Sequence, residues 1–162
     1  MTNRVEGNMT VTGRLSPAYL DVPSNTIVDE DVSASADIAA EKLEHYHQKT
    51  YGQANTAAAD ETRMIHVAMA AGEVLAFEAG SIAKAVGDAT CTVDLKKNGS
   101  SILSAVITLD SANTNRVTEA ATIASAAYVD GDVFEVVIDG TIGTGTLPTG
   151  VFCSAKFQEK AA

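Results

Sequence analysis

Apolar and polar residues change rhythm along this chain near Asp60. Before it, apolar positions stand singly or in pairs, at Val5, Met9, Val11, Leu15, Tyr19-Leu20, Val22 and Ile27-Val28. Such spacing encloses no core of its own, yet it is too apolar for a purely solvating tail. The pattern predicts an extended arm, residues 1–60, that lies across another surface. Pro17 and Pro23 reinforce an extended path, because proline fixes φ, restricts its predecessor and removes an amide donor. Met9 to Leu15 alternates and is expected to pair briefly with a neighbouring strand. One short helix is predicted in the arm, from about Ile38 to His47, capped by Asp37 or Ser35 and stopped at Gly52. Its stripe of Ala39, Leu43 and Tyr46 is narrow, so the helix needs that stripe packed against something to persist. Gln53 to Ala59 is small and polar and reads as a linker.

Beyond Glu61 the period becomes two, the signature of half-buried strands. Ile65, Val67 and Met69 fall on one face, Gly72 interrupts, and Val74 to Phe77 follows. Cys91, Val93 and Leu95 alternate with Thr90, Thr92 and Asp94; after Lys97-Asn98-Gly99, Leu103, Ala105, Ile107 and Leu109 alternate again. A two-residue Asn-Gly turn would set Asp94 opposite Leu103. A three-residue loop with Gly99 left-handed pairs odd positions with odd and gives one continuous apolar face, so the hydrophobic register predicts the longer loop. A further strand is expected around Ile123. Asp130-Gly131-Asp132 marks a turn before Val133 to Ile138, which is apolar on both faces except at Glu135, as a central strand would be. A Gly- and Thr-rich connection, 140–150, leads to a last strand with Val151, Cys153, Ala155 and Phe157 on one face and Ser154, Lys156 and Gln158 on the other. Short strands separated by turns predict a mainly β domain at 61–162, an antiparallel sandwich or jelly roll, expected to fold without the arm from about Thr62 onward.

Composition narrows the function classes. At 162 residues, one domain beside the arm is the default size. Aromatics are 5% with no Trp, which suits a core of Val, Ile, Leu and Ala rather than a ring-lined pocket. Net charge is −10, and acidic residues outnumber basic ones ten to four through Glu61. Nucleic acid is thereby disfavoured as a partner, since affinity for phosphate backbones depends on Lys and Arg. No stretch has the apolar length of a signal peptide or a membrane span, so a soluble, unprocessed chain is expected. Cys91 and Cys153 have apolar neighbours two positions away and read as core thiols, with a single bridge between adjacent strands left open.

Candidate chemistry is sparse. His45 and His47 are two apart, which on a helix points them to different sides, unlike the spacing of helical zinc ligands. Asp130, Asp132, Glu135 and Asp139 surround one turn but lack the alternating oxygens and closing Glu of a calcium loop. His66 lies mid-strand without a nucleophile motif, and the 140–150 segment lacks the lysine and helix of a phosphate loop. No enzyme, metal site or cofactor is expected.

Several segments together resemble one group of viral proteins. Val22-Pro-Ser-Asn-Thr-Ile-Val-Asp-Glu-Asp-Val32 and Ser35-Ala-Asp-Ile-Ala-Ala-Glu-Lys-Leu-Glu-His45 are similar to the N-terminal arm of head decoration (cement) proteins of tailed bacteriophages. Val93-Asp-Leu-Lys-Lys-Asn-Gly-Ser-Ser-Ile-Leu103, Asp130-Gly-Asp-Val-Phe-Glu-Val-Val137 and Gly143-Thr-Gly-Thr-Leu-Pro-Thr-Gly-Val-Phe152 resemble their β-domains. The resemblance runs from about Val22 to Gln158. It implies a virion protein made in the host cytoplasm and seated as a homotrimer on the outer capsid surface, where it clamps neighbouring copies of the major capsid protein. Leu15, Tyr19, Leu20, Val22, Ile27, Val28, Leu43 and Tyr46 are then the expected capsid-binding residues of the arm. The competing expectation is a head-fibre or tail-fibre module that recognises a host glycan.

Overall fold

The computed structural model describes residues 45–159. They form ten strands and two antiparallel sheets. One sheet contains β1 (His45–Gly52), β10 (Thr149–Glu159), β3 (Gly72–Ala83) and β7 (Thr118–Ala120) in that order, with β8 (Ala127–Tyr128) also on β3. The other runs β2 (Glu61–Val67), β9 (Val133–Thr141), β4 (Thr90–Lys97) and β5 (Ser100–Ser101), with β6 (Ile107–Leu109) also on β4. The inward faces meet in one core: Val74, Phe77, Val151, Cys153, Ala155 and Phe157 from the first sheet, and Cys91, Val93, Leu95, Phe134, Val136 and Ile138 from the second. Period-two patterning therefore fixes which residues face inward on β4, β9 and β10, and β9 is central as its two-sided apolar run requires.

Strand pairing begins earlier than the change of rhythm suggests. His45 to Gly52, assigned from sequence to the arm, pairs along its whole length with β10, from His45↔Glu159 to Gly52↔Phe152. His45, Tyr46 and His47 are thus strand rather than helix; the rest of the predicted helix, 38–44, lies outside the described residues. Thr50 and Tyr51 favour strands, and β10 offers a complete edge to pair with, so cross-strand pairing overrides the helix propensity of Gln48 and Lys49. The expected linker is also tied down, because Ala58 is buried, its amide donates to the Pro148 carbonyl, and Ala57 bridges Thr149.

Two registers differ from the sequence reading, and each has a local cause. Asn98 and Gly99 both have positive φ, 50° and 81°, and Lys97 pairs with Ser100. This is the two-residue Asn-Gly turn, whose backbone twist matches the strands it joins. Asn98 fixes it further by accepting from the Val133 amide and donating to Asp132. The apolar register is recovered later: β6 pairs Val93↔Ile107 and Cys91↔Leu109, so the irregular stretch between Ser101 and Ile107 absorbs a shift of three positions. Asp94, buried on β4, accepts a hydrogen bond from the Ser101 hydroxyl at 2.6 Å. In β2 a bulge at Ile65 separates Met64↔Glu135 from His66↔Phe134. His66 consequently turns toward the core, while Val67 and Met69 are 39% and 78% exposed instead of sharing an inward face with Ile65.

The two sides of the sandwich close differently. On the β6–β7 side a strap of backbone hydrogen bonds links the sheets: the Ala121 amide donates to Phe77 of the first sheet, and Ser104 and Ala124 join the strap to the 102–104 stretch beside β4. On the β1–β2 side the edge strands meet through side chains. Tyr51 donates its hydroxyl to Glu61, the Arg63 guanidinium sits 5.5 Å from the Tyr51 ring, and the rings of His47 and His66 are 6.2 Å apart.

Because β1 covers the edge of β10, a chain beginning at residue 62 should lose stability and aggregate through the uncovered strand. A chain beginning at residue 45 should show one cooperative β-type transition on urea unfolding. Circular dichroism with light scattering checks both.

Candidate interaction surfaces

The outer face of the first sheet is assembled by register. Gly52, Phe152, Gly80 and Thr118 form one row across four strands, and Thr50, Ser154, Glu78 and Ala120 form the next. The alternation that points Val151, Cys153, Ala155 and Phe157 inward leaves Phe152 outward. Its ring lies across Gly80, where an added Cβ would stand 2.9 Å from the ring and 2.5 Å from the Val117 carbonyl oxygen. Glycine at 80 therefore leaves room for the tip of the Phe152 ring and for the Val117 carbonyl. The residues of the first row are themselves uncharged, but the Glu78 carboxylate of the next row accepts from the Thr118 hydroxyl at 2.6 Å, and Lys156 and Glu73 lie farther along. On a chain of net charge −10, the Gly52–Phe152–Gly80 part of this face is the portion that can approach a second protein surface with little electrostatic cost.

Tyr46 is the one expected arm-docking residue that is described. It is 58% exposed on β1 opposite Gln158, with the Lys156 ammonium 5.3 Å from its ring, and so belongs to this same outer face rather than to a helix stripe. Leu15, Tyr19, Leu20, Val22, Ile27, Val28 and Leu43 lie outside the described residues. Phe152 was missed in the sequence reading although its signal was present, as the apolar residue out of phase with the final strand's inward set.

Acidic side chains near the loops act within the architecture. Asp132 accepts from the Val129 amide at 2.9 Å and from Asn98 at 2.7 Å, with the Lys97 ammonium 3.9 Å away, and these contacts hold its carboxyl below the usual range. Asp88 accepts from the Thr144 amide and hydroxyl, and Asp60 accepts from the Gly140 amide, so the Gly-rich 140–150 connection is pinned to its neighbours. Glu135 and Asp139 are spread along β9, opposite Lys96 and Thr92, and do not converge with Asp132. His45 and His47, being two apart on a strand, share one face of β1, a correction to their helical placement. Among the described residues no group of three or more His, Cys, Asp or Glu side chains is arranged to hold a metal ion. Cys91 and Cys153 are free and buried, and burial pushes both thiols up to about 11, leaving them protonated at neutral pH.

A shallow concavity of about 450 Å³ lies between β6 and β7, lined by Ser104, Thr108, Asp110, Asn113, Glu119 and Thr122 among others. No aromatic ring lines it. Its carboxylates serve the loop around it, since Asp110 accepts from the Ala112 amide and Glu119 from the Asn113 side chain. At the end of the sandwich formed by the β2–β3 and β8–β9 turns, Met69 and Val129 are 78% and 60% exposed.

Comparison with protein-family models gives no match, and comparison with curated proteins gives none either.

Replacing Asp132 with Asn should lower stability at pH 7 by loosening the turn that joins Val129, Asn98 and Lys97. Since the folded carboxyl titrates below its ordinary value of 3.8, its contribution is present above that value and is lost as pH falls through the folded pKa. The difference in urea midpoint between wild type and Asp132→Asn should therefore shrink from pH 7 to pH 3.

Proposed function

We propose that the chain is a non-enzymatic structural protein of a tailed-phage virion, which decorates the outer capsid surface and clamps neighbouring major capsid subunits. The observation that carries this reading is the division of labour along the chain. Residues 45–159 bury their apolar strand faces against each other, whereas the apolar residues from Leu15 to Val28 are spaced too sparsely to make a core and gain from being covered by another surface. The resemblance of the arm and β-domain segments to cement proteins supports the same assignment. The fold is read more finely as an antiparallel β-sandwich or jelly roll with an extended N-terminal arm.

Self-association as a homotrimer fits the outer face of the first sheet. An interface among copies of net charge −10 must avoid acidic surface, and the Gly52–Phe152–Gly80 part of this face supplies uncharged area around one aromatic anchor. Three linked arms would then bind intramolecularly after the first, raising avidity by about 10²–10⁴. The glycan-binding alternative draws on the concavity between β6 and β7, but its lack of rings removes the stacking surface that sugars commonly use.

Adding purified protein to capsids that lack it tests the proposal. The full chain should co-sediment to a saturating stoichiometry, and a chain beginning at residue 45 should bind at least a hundredfold more weakly. Phe152→Asp should convert a trimer to monomers in analytical ultracentrifugation while leaving the β-type circular dichroism intact. Equal capsid binding with and without residues 1–44 contradicts the docking arm, and binding to a glycan array with none to capsids favours the alternative.

A further inference from the structure

His66 is brought inward by the bulge at Ile65, and the core gives its imidazole an unusual seat. The ring is 4.6 Å from Phe157 of β10 and 6.0 Å from Phe134 of β9, centroid to centroid. Its Nε2 is buried without a hydrogen-bond partner. Tyr128 of β8 completes the aromatic cluster, against both phenylalanines, and its hydroxyl is committed to the Gln158 carbonyl. The charged and titratable groups facing the imidazole are His47 and Lys49 from β1 and Glu159 from β10. His47 Nε2 lies 3.1 Å from Glu159 Oε2, without the alignment of a hydrogen bond. Glu159, the carboxylate that faces His66 among the described residues, is thus already shared with His47.

We propose that His66 is an acid-operated latch on the side of the sandwich where β1 and β2 meet: neutral, it packs as an apolar ring between the sheets; protonated, it drives β1 away from β2. Two features make the seam responsive, and a third confines the response to the His66 end. Its closure rests on side chains, whereas the opposite side is held by the backbone strap through Ala121 and Ala124. The cation formed at His66 would stand in an apolar pocket beside Lys49 and His47. At the far end of the seam, Glu61 is held in its charged form by the Tyr51 hydroxyl and the Gln53 amide, so that contact does not titrate with the imidazole.

The direction of the pH effect follows. Burial first, then Lys49 and His47, hold the His66 pKa below its ordinary 6.5, against the opposing pull of Glu159. Neutral His66 therefore contributes stability that is present above pH 6.5 and is lost as pH falls through the folded value.

Hydrogen exchange of the full chain, read by mass spectrometry at pH 7.5 and pH 5.5 and corrected for intrinsic rates, tests the latch. Protection of β1 and β2 should fall at pH 5.5 relative to pH 7.5, because the folded imidazole titrates below its ordinary value, while β4 and β9 stay protected. His66→Gln, which keeps a polar side chain but cannot become a cation, should abolish that pH dependence. An NMR titration of the wild-type imidazole should give a midpoint below 6.5 and needs no variant to fold. Protection of β1 that is the same at both pH values, equal pH dependence in His66→Gln, or a midpoint at or above 6.5 would each overturn the proposal.

Discussion

The edge-on contact between Phe134 and Phe157, with centroids 4.9 Å apart and planes at 70°, is the constraint on which the rest of the molecule depends. Phe134 belongs to β9 and Phe157 to β10, the strands next to the two edges that meet at the β1–β2 seam. Their rings set the distance between the sheets there, and Tyr128 and His66 pack around them. A chain with so few aromatic residues has concentrated three of its rings at one end of the core. Truncating either phenylalanine would remove large buried area, at a cost of about 3–5 kcal/mol in cores of this kind, and would leave both edge strands without the surface they close on.

How much of this was legible in the sequence depends on how each residue's position is decided. Inward faces of β4, β9 and β10 follow directly from alternation, because burial is a one-residue property repeated every second position. The β4–β5 turn could not be chosen that way. Its chemistry is set by Asn98 and Gly99, while the register between β4 and β6 is set by apolar burial, and an irregular stretch reconciles the two. Reading one demand as governing the other produced a three-residue loop. The bulge at Ile65 is a similar case, since a single extra residue exchanges the faces of His66 and Val67 without a composition signal.

The first strand shows a different limit. His45 to Gly52 alternates only weakly because its inward positions carry His, His, Lys and Tyr. These side chains make the seam with β2 and β10 through rings and charges instead of aliphatic burial, so a search for apolar period two passes over them. The outer face of the first sheet was hidden for the opposite reason. It is made of residues from four strands far apart in sequence, and the Gly52–Phe152–Gly80–Thr118 row exists only once the register is known. Local signals report local environments, while surfaces depend on which strands become neighbours.

A folded unit that satisfies its own core, with a neutral outward row and an N-terminal segment that cannot make a core, is suited to being held against other subunits. Electron cryomicroscopy of phage particles assembled with this protein tests the proposed decoration role directly. The account predicts β-sandwich density on the outer capsid surface around threefold positions, with extensions reaching onto adjacent capsid subunits. A bare capsid lattice with the same density confined to a tail or fibre tip would contradict it.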